Sequence, residues 1–277
     1  MKPIVALIYD FDRTLATEDM QNFGFIPSLQ MTPEEFWSAT QKFCDTNNMD
    51  KILGYLYVMM KLSKEKNVKL TRDFLNQQGK SIKFYEGVLT WFKRINEYGK
   101  EKGLKVEHYL ITSGNKEIID GTSIAKEFKK IFACEFLYDK DTKVAYRPKT
   151  MVNYTQKTQY IFRISKGAIN SNDDIEINEK TKKRRIRHEN MIYIGDGLTD
   201  VPAMVIVKQD NGHAIAVYPK GQRERVSKLF EDGRVNYICK ADYSINGELE
   251  KVVKLIIDSI AIEETLYYKA KKTEKII

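Results

Sequence analysis

Three short apolar runs in this chain each stop at a polar or glycine-rich step. Residues 4–9 run into Asp10, residues 108–111 into Thr112-Ser113-Gly114, and residues 191–194 into Gly195-Asp196-Gly197. Nearly every position in these runs is apolar, rather than every second one. That pattern belongs to strands covered on both faces, as in a parallel sheet with helices on each side. Further strands are expected at residues 214–218 and 235–239. Helical patterns fall between them, at 200–208, 222–231 and 247–262. Strand followed by helix, repeated, predicts an α/β fold with a doubly wound parallel sheet. In such sheets ligands bind beyond the carboxyl ends of the strands, where the three polar steps would meet.

Between the first and second runs the pattern is helical. Thr32-Pro33-Glu34-Glu35 is a capping box with proline in the first turn, and residues 50–64 carry apolar side chains at helical spacing. The expected division is a core of residues 1–16 and 84–277 with a helical cap of 17–83 inserted after the first strand. Tyr55, Tyr57, Met59 and Met60 read as apolar filling of that cap. After Gly114 a helix is expected to about residue 132. A β-hairpin of 134–138 and 144–146 should follow, turning at Asp139-Lys140-Asp141-Thr142. The charged stretch 170–189 reads as a solvated excursion.

Composition excludes several other classes. Cys44, Cys134 and Cys239 are far apart and give no disulfide framework or zinc spacing, which fits a reducing, cytoplasmic setting. No apolar stretch is long enough to span a bilayer. The net charge of +8 is spread along the chain, with one dense run from Lys182 to Arg187 that lacks interleaved aromatics. Such a run is expected to be a solvated face, not a nucleic-acid surface, and an anionic small substrate explains the balance equally well. His108, His188 and His213 have no metal spacing and read as structural.

The chemistry is carried by four pieces in order: Asp10-Phe11-Asp12-Arg13-Thr14-Leu15, Leu110-Ile111-Thr112-Ser113-Gly114, Ser165-Lys166-Gly167, and Gly195-Asp196-Gly197-Leu198-Thr199-Asp200. An aspartate ionised at neutral pH can attack phosphorus without a helper base. Its charge repels a phosphate dianion, so a hard cation such as Mg2+ is needed beside it. The ordered set resembles the four motifs of the haloacid dehalogenase superfamily. The hairpin and Tyr85-Glu86-Gly87-Val88 are similar to its phosphoserine phosphatase-like branch.

The resemblance implies a Rossmann-like core and a Mg2+-dependent phosphomonoester hydrolase that acts on a small phosphorylated metabolite through an aspartyl-phosphate. It implies Asp10 as nucleophile and Asp12 as general acid and base. Metal ligands would be Asp10, the backbone carbonyl of Asp12, and Asp196, with Asp200 as ligand or orienter. Thr112, Ser113 and Gly114 would bind the phosphate, Ser113 being preferred for its pairing with glycine. Lys166 is expected to neutralise charge, chosen over Lys149 and Lys157 because Gly167 follows it. Glu18 or Asp19 would match the acidic residue that reads a substrate amine in phosphoserine phosphatases, and the role of Arg13 is open. Two other readings stand beside this one: a phosphotransferase or phosphomutase, and a non-catalytic protein that binds anions or nucleic acid.

Overall fold

The computed structural model describes residues 2–170, 173–180 and 184–274. Strand β1 (Ile4–Tyr9) leads into a helical stretch of α1 (Phe25–Ser28), α2 (Pro33–Asn47), α3 (Lys51–Glu65) and α4 (Arg72–Gln78). Then come α5 (Val88–Glu101), β2 (Lys105–Asn115), α6 (Lys116–Asp120), β3 (Lys130–Tyr138), β4 (Ala145–Thr150), α7 (Tyr154–Lys166) and α8 (Asp174–Asn178). The chain closes with β5 (Met191–Gly195), α9 (Val201–Gln209), β6 (His213–Tyr218), α10 (Glu224–Glu231), β7 (Tyr237–Lys240) and α11 (Glu248–Glu274). The seven strands form one sheet in the order β4-β3-β2-β1-β5-β6-β7, parallel except where β4 runs antiparallel to β3. The expected doubly wound α/β sheet is therefore present.

Strand β1 is central, with β2 on one side and β5 on the other, and residues 5–9 are fully buried. That arrangement explains why the run is apolar on both faces. Just before Asp10, the Tyr9 hydroxyl takes a hydrogen bond from the Trp91 indole at 2.9 Å and meets His108 Nδ1 at 3.0 Å. His108 Nε2 lies 3.1 Å from Asn96 Oδ1. Burial pushes the His108 pKa down to about 3, so a neutral ring with one donor and one acceptor nitrogen suits this chain of partners. His108 is structural, as its lack of metal spacing suggested.

The helical stretch begins and ends at adjoining positions. Ala16 and Phe84 form an antiparallel bridge, flanked by Thr17 N–H to Lys83 O and Tyr85 N–H to Leu15 O. The capping box predicted at Thr32 forms as read, with Thr32 and Glu35 each bonding the other's backbone. Several contacts seat the stretch on the rest of the chain, Gln21 Nε2 to Asn115 Oδ1 at 2.9 Å and three others among them. Tyr55 of α3 donates its hydroxyl to Ser113 O, Ala145 N–H donates to Leu70 O, and α4 packs backbone to backbone against the end of α6. At the last of these a Cβ on Gly121 would stand 1.7 Å from Asn76 O, and one on Gly79 would stand 2.2 Å from Ile118 O.

Two expectations need correction. The helix after Gly114 stops at Asp120, because Gly121 there lets α4 approach too closely for another turn of side chains. The apolar residues from Ile131 onward belong to β3. The stretch 170–189 is not simply a solvated loop. It carries α8, and Ile186 is buried, exchanging hydrogen bonds with Ser165. Lys182 and Lys183 of the basic run lie outside the described residues.

Substitution of Gly121 by alanine must push α4 away from the core. Gly121→Ala is expected to lower stability by about 2 kcal/mol, an overpacking cost read by chemical denaturation, whereas alanine at Gly197, which has open space around it and an extended φ of −136°, should leave stability near the parent's.

Candidate active site

The polar steps at the strand ends converge as the topology requires. Asp10 leaves β1 with its N–H bonded to Ile194 O of β5 at 2.9 Å, so the nucleophile candidate is locked between the two sheet halves. The chain then turns tightly, with the N–H groups of Thr14, Leu15 and Ala16 all directed at Phe11 O. Arg13 takes a left-handed conformation in this turn, φ +56°, a position that favours glycine or a small polar residue. Its guanidinium grips Asp19 with two hydrogen bonds, at 2.8 and 3.2 Å. Asp12 is fixed by Met20 N–H, which donates to its Oδ1 at 2.7 Å.

At the end of β2 the pairing with β3 shifts register between Ile111 and Asn115, and the predicted phosphate-binding residues occupy this irregularity. Thr112 Oγ1 accepts the Gly114 N–H at 3.1 Å, so it holds the turn. The Ser113 hydroxyl is buried, has no protein partner and lines the cleft. The two roles left open in the sequence thus separate, with Ser113 available to a ligand and Thr112 engaged. Gly114 is required by space, because a Cβ there would come within 2.0 Å of Met20 Cε and 3.1 Å of Asp12 Oδ2.

After β5, Asp196 enters the cleft while Asp200 turns back under it. A Cβ on Gly195 would lie 2.5 Å from Asp200 Oδ2. Neither Gly195 nor Gly197 has positive φ, so no left-handed turn requires glycine at either position. At Gly195 it makes room for a carboxylate. Asp200 is fully buried and accepts from the Tyr193 hydroxyl and from Lys157, both at 2.7 Å, and from Gly197 N–H at 3.3 Å.

Lys157, rather than Lys166, reaches the carboxylates. It extends from α7, is wholly buried, and lies 2.7 Å from Asp200 Oδ1, 3.0 Å from Asp10 Oδ1 and 3.4 Å from Thr199 Oγ1. Burial opposes its charge, but the two carboxylates outweigh burial and hold its pKa above the ordinary lysine value. Lys166 bonds the backbone carbonyls of Ile177 and Glu179 instead, at 2.6 and 2.7 Å. Gly167 caps the end of α7 with φ +83°, its N–H bonded to Arg163 O and Ile164 O. The Lys-Gly pair that favoured Lys166 is a helix terminus.

The cleft has a volume of about 440 Å³. Asp10, Asp12, Ser113, Lys157 and Asp196 line its floor, and Trp37, Tyr55 and Ile52 from the helical stretch face them. Tyr55, read from sequence as cap filling, is both buried and part of this wall. Asp19 faces the cleft, whereas Glu18 is exposed and accepts from Asn22.

The carboxylates outnumber the cations on the floor. Burial, then Asp200, raise the Asp10 pKa to about 6 against the opposing pull of Lys157. Burial, then Asp10 and Asp200, raise Asp196 to about 8, although Arg225 lies 3.8 Å away. Burial, Asp19 and Asp10 hold Asp12 well above the carboxylate range, partly offset by Met20 N–H. Among the described residues, Asp10, Asp196 and Asp200 bring carboxylate oxygens within 4.8 Å of one another. This donor set, all hard oxygen and short of positive charge, fits a divalent cation of the Mg2+ type.

Comparison with known proteins agrees with this arrangement. The family described as haloacid dehalogenase-like hydrolase matches residues 7–205. An uncharacterized protein of Borreliella burgdorferi is 30% identical over 274 residues, covering 89% of this chain and 94% of its own. A substrate-bound phosphoserine phosphatase superposes with a TM-score of 0.58 at 15% identity, covering 92% of this chain and 99% of that one. A haloacid dehalogenase-family hydrolase from Salmonella enterica serovar Typhi gives a TM-score of 0.58 at 18% identity, covering 92% and 72%. At these identities the structural likeness is one of fold.

The crowding of carboxylates has a consequence for stability. Because Asp196 titrates near 8 in the folded chain, folding takes up a proton between the ordinary carboxylate range and that value, so stability falls as pH rises across this window. In metal-free buffer Asp196→Asn is expected to be more stable than the parent at pH 8 by several kcal/mol, at most about 5, with little difference near pH 4. Added Mg2+ should raise the melting temperature of the parent more at pH 8 than at pH 5, and raise that of the variant less.

Proposed function

The chain belongs to the haloacid dehalogenase-like hydrolases, and on that footing we propose that it is a phosphomonoester hydrolase in which Asp10 takes the phosphoryl group from a small phosphorylated metabolite. One observation carries the reading. The Asp10 carboxylate, 3.0 Å from a buried ammonium, shares a cleft with a second carboxyl two residues away and with an unpartnered serine hydroxyl. A site for binding alone needs no nucleophile beside an acid.

In this reading Lys157 offsets charge on Asp10 and on the incoming phosphoryl oxygens, and Ser113 donates its hydroxyl to one of those oxygens. Asp10 attacks phosphorus, and Asp12 gives its proton to the departing alkoxide. The burial and neighbouring carboxylates that keep Asp12 protonated suit it to that step. Asp12 then takes a proton from water, which hydrolyses the aspartyl-phosphate on Asp10. Asp10, Asp196 and the Asp12 backbone carbonyl would hold Mg2+, which when bound supplies charge neutralisation next to the phosphate. Asp200 positions Lys157 through Oδ1, while its Oδ2, met only by Gly197 N–H at 3.3 Å, would complete the oxygen set around the cation. Residues 17–83 act as a cap whose Trp37, Tyr55 and Ile52 surround the leaving group and shield it from water.

The cap wall also bears on which leaving group is accepted. Asp19 is the carboxylate best placed to meet a substrate amine, yet Arg13 takes both of its oxygens. The substrate we infer therefore carries a neutral or anionic group beyond its phosphate, not a free amine.

Asp10→Asn should abolish Mg2+-dependent phosphate release from an aryl phosphate. Lys157→Ala should reduce kcat by about 10²-fold or more, the scale for removing one charge-stabilising group, while Lys166→Ala retains activity. Equal losses at both lysines would refute the assignment. Separately, Arg13→Ala frees Asp19. The ratio of kcat/KM for phosphoserine to that for a neutral alkyl phosphate should then rise roughly fivefold, as expected for one partly exposed ion pair.

A further inference from the structure

A second cavity opens at the opposite edge of the sheet, where β1 and β2 begin rather than end. Its volume is about 1140 Å³, and Lys2, Lys100, Lys105, Lys166, Arg184 and Arg185 line it together with Pro3, Ile4, Leu104, Val106 and Tyr268. Beneath this ring of cations lies one buried carboxylate, Glu107. It accepts from Arg185 at 2.7 Å and from the Tyr109 hydroxyl at 2.7 Å, and Lys105 stands 2.9 Å away. Burial alone would raise the Glu107 pKa, but these partners pull it down to about 2.

Among the described residues, the remaining positive charge is not met by carboxylates. Lys166 bonds two backbone carbonyls, and Arg184 bonds the Ser165 hydroxyl and His188 Nε2, all neutral acceptors. Among the described residues, Lys2 and Lys100 form no ion pair. Lys100 and Lys166 stand in the last turns of α5 and α7, where helix ends contribute about half a negative charge each. That accounts for only a small part of six cations.

We propose that this cavity binds a small polyanion carrying two or more phosphate groups. Three features point to that class. The cations come from four separate segments and face one concavity, so several phosphates can be met at once. The wall between them is apolar and includes Tyr268, which a compact organic body can cover. The site is a cavity of bounded volume and not an extended stripe, which favours a small molecule over a nucleic-acid strand. It is also distinct from the catalytic cleft, since Ile4 and Asp10 mark opposite ends of β1, about 20 Å apart at the rise of a strand.

The test uses inorganic tripolyphosphate and isothermal titration of the full chain at low salt without divalent ions. One equivalent should bind. The double substitution Lys2→Gln and Lys100→Gln, at two exposed side chains, should weaken binding by about tenfold or more, while aryl phosphatase activity stays at the parent level. Asp10→Asn should bind tripolyphosphate as the parent does. The proposal is overturned by no binding at low salt, by more than one equivalent, by unchanged affinity in the double variant, or by loss in Asp10→Asn. A single-stranded oligonucleotide that binds more tightly than tripolyphosphate and is lost in the double variant would overturn it in favour of nucleic acid.

Discussion

A single buried ammonium organises the cluster of carboxylates at the carboxyl ends of the strands. Lys157 has no solvent exposure, so its charge survives only because Asp10 and Asp200 lie within 3.0 Å. The carboxylates depend on it in turn, since Asp10, Asp12 and Asp196 in the cleft and Asp200 beneath it would otherwise face each other with little to offset them. This mutual dependence joins β1, α7 and the turn after β5 through groups that cannot be separated cheaply. Glycines at 114 and 195 follow from the same crowding, because each lies where a methyl group would collide with part of the acidic cluster or its supports.

Below that cluster the sheet supplies rigidity without charge. Tyr9 precedes Asp10 and ties Trp91, His108 and Asn96 into a neutral series of hydrogen bonds under the floor. Asp10 therefore stands on a strand held from both faces, and its own N–H is bonded across to β5. Membership of the haloacid dehalogenase-like hydrolases is consistent with such a core.

Much of this was legible before any coordinates, because the strongest signals were local. Runs of apolar residues ending at Asp10, Thr112 and Asp196 marked strands and the edge where they stop, and backbone periodicity alone locates such ends. The lysine was not local. Lys157 and Lys166 are nine positions apart on α7, about two and a half turns, which places them on opposite faces. Lys157 shares its face with the buried Ile161 and Ile164, and a lysine in phase with an apolar stripe must find a counter-charge. That periodic signal was available, whereas the Lys-Gly pairing reflected only how the helix ends. Tyr55 was equally hidden, since an aromatic at helical spacing reads as filling until the opposing strand shows its carbonyl. The irregularity in β2 that separates Ser113 from Thr112 depends on pairing with β3, which sequence alone does not specify.

The hydroxyl of Tyr55 reaches across from the helical insertion to the backbone oxygen of Ser113. Any outward movement of the insertion would have to give up that phenolic donor, leaving the oxygen with the Cys134 thiol at 3.2 Å and water. The same residue turns its unpartnered hydroxyl toward the cleft. Under the proposed function, movement of the insertion and departure of a bound anion would therefore meet at one peptide unit.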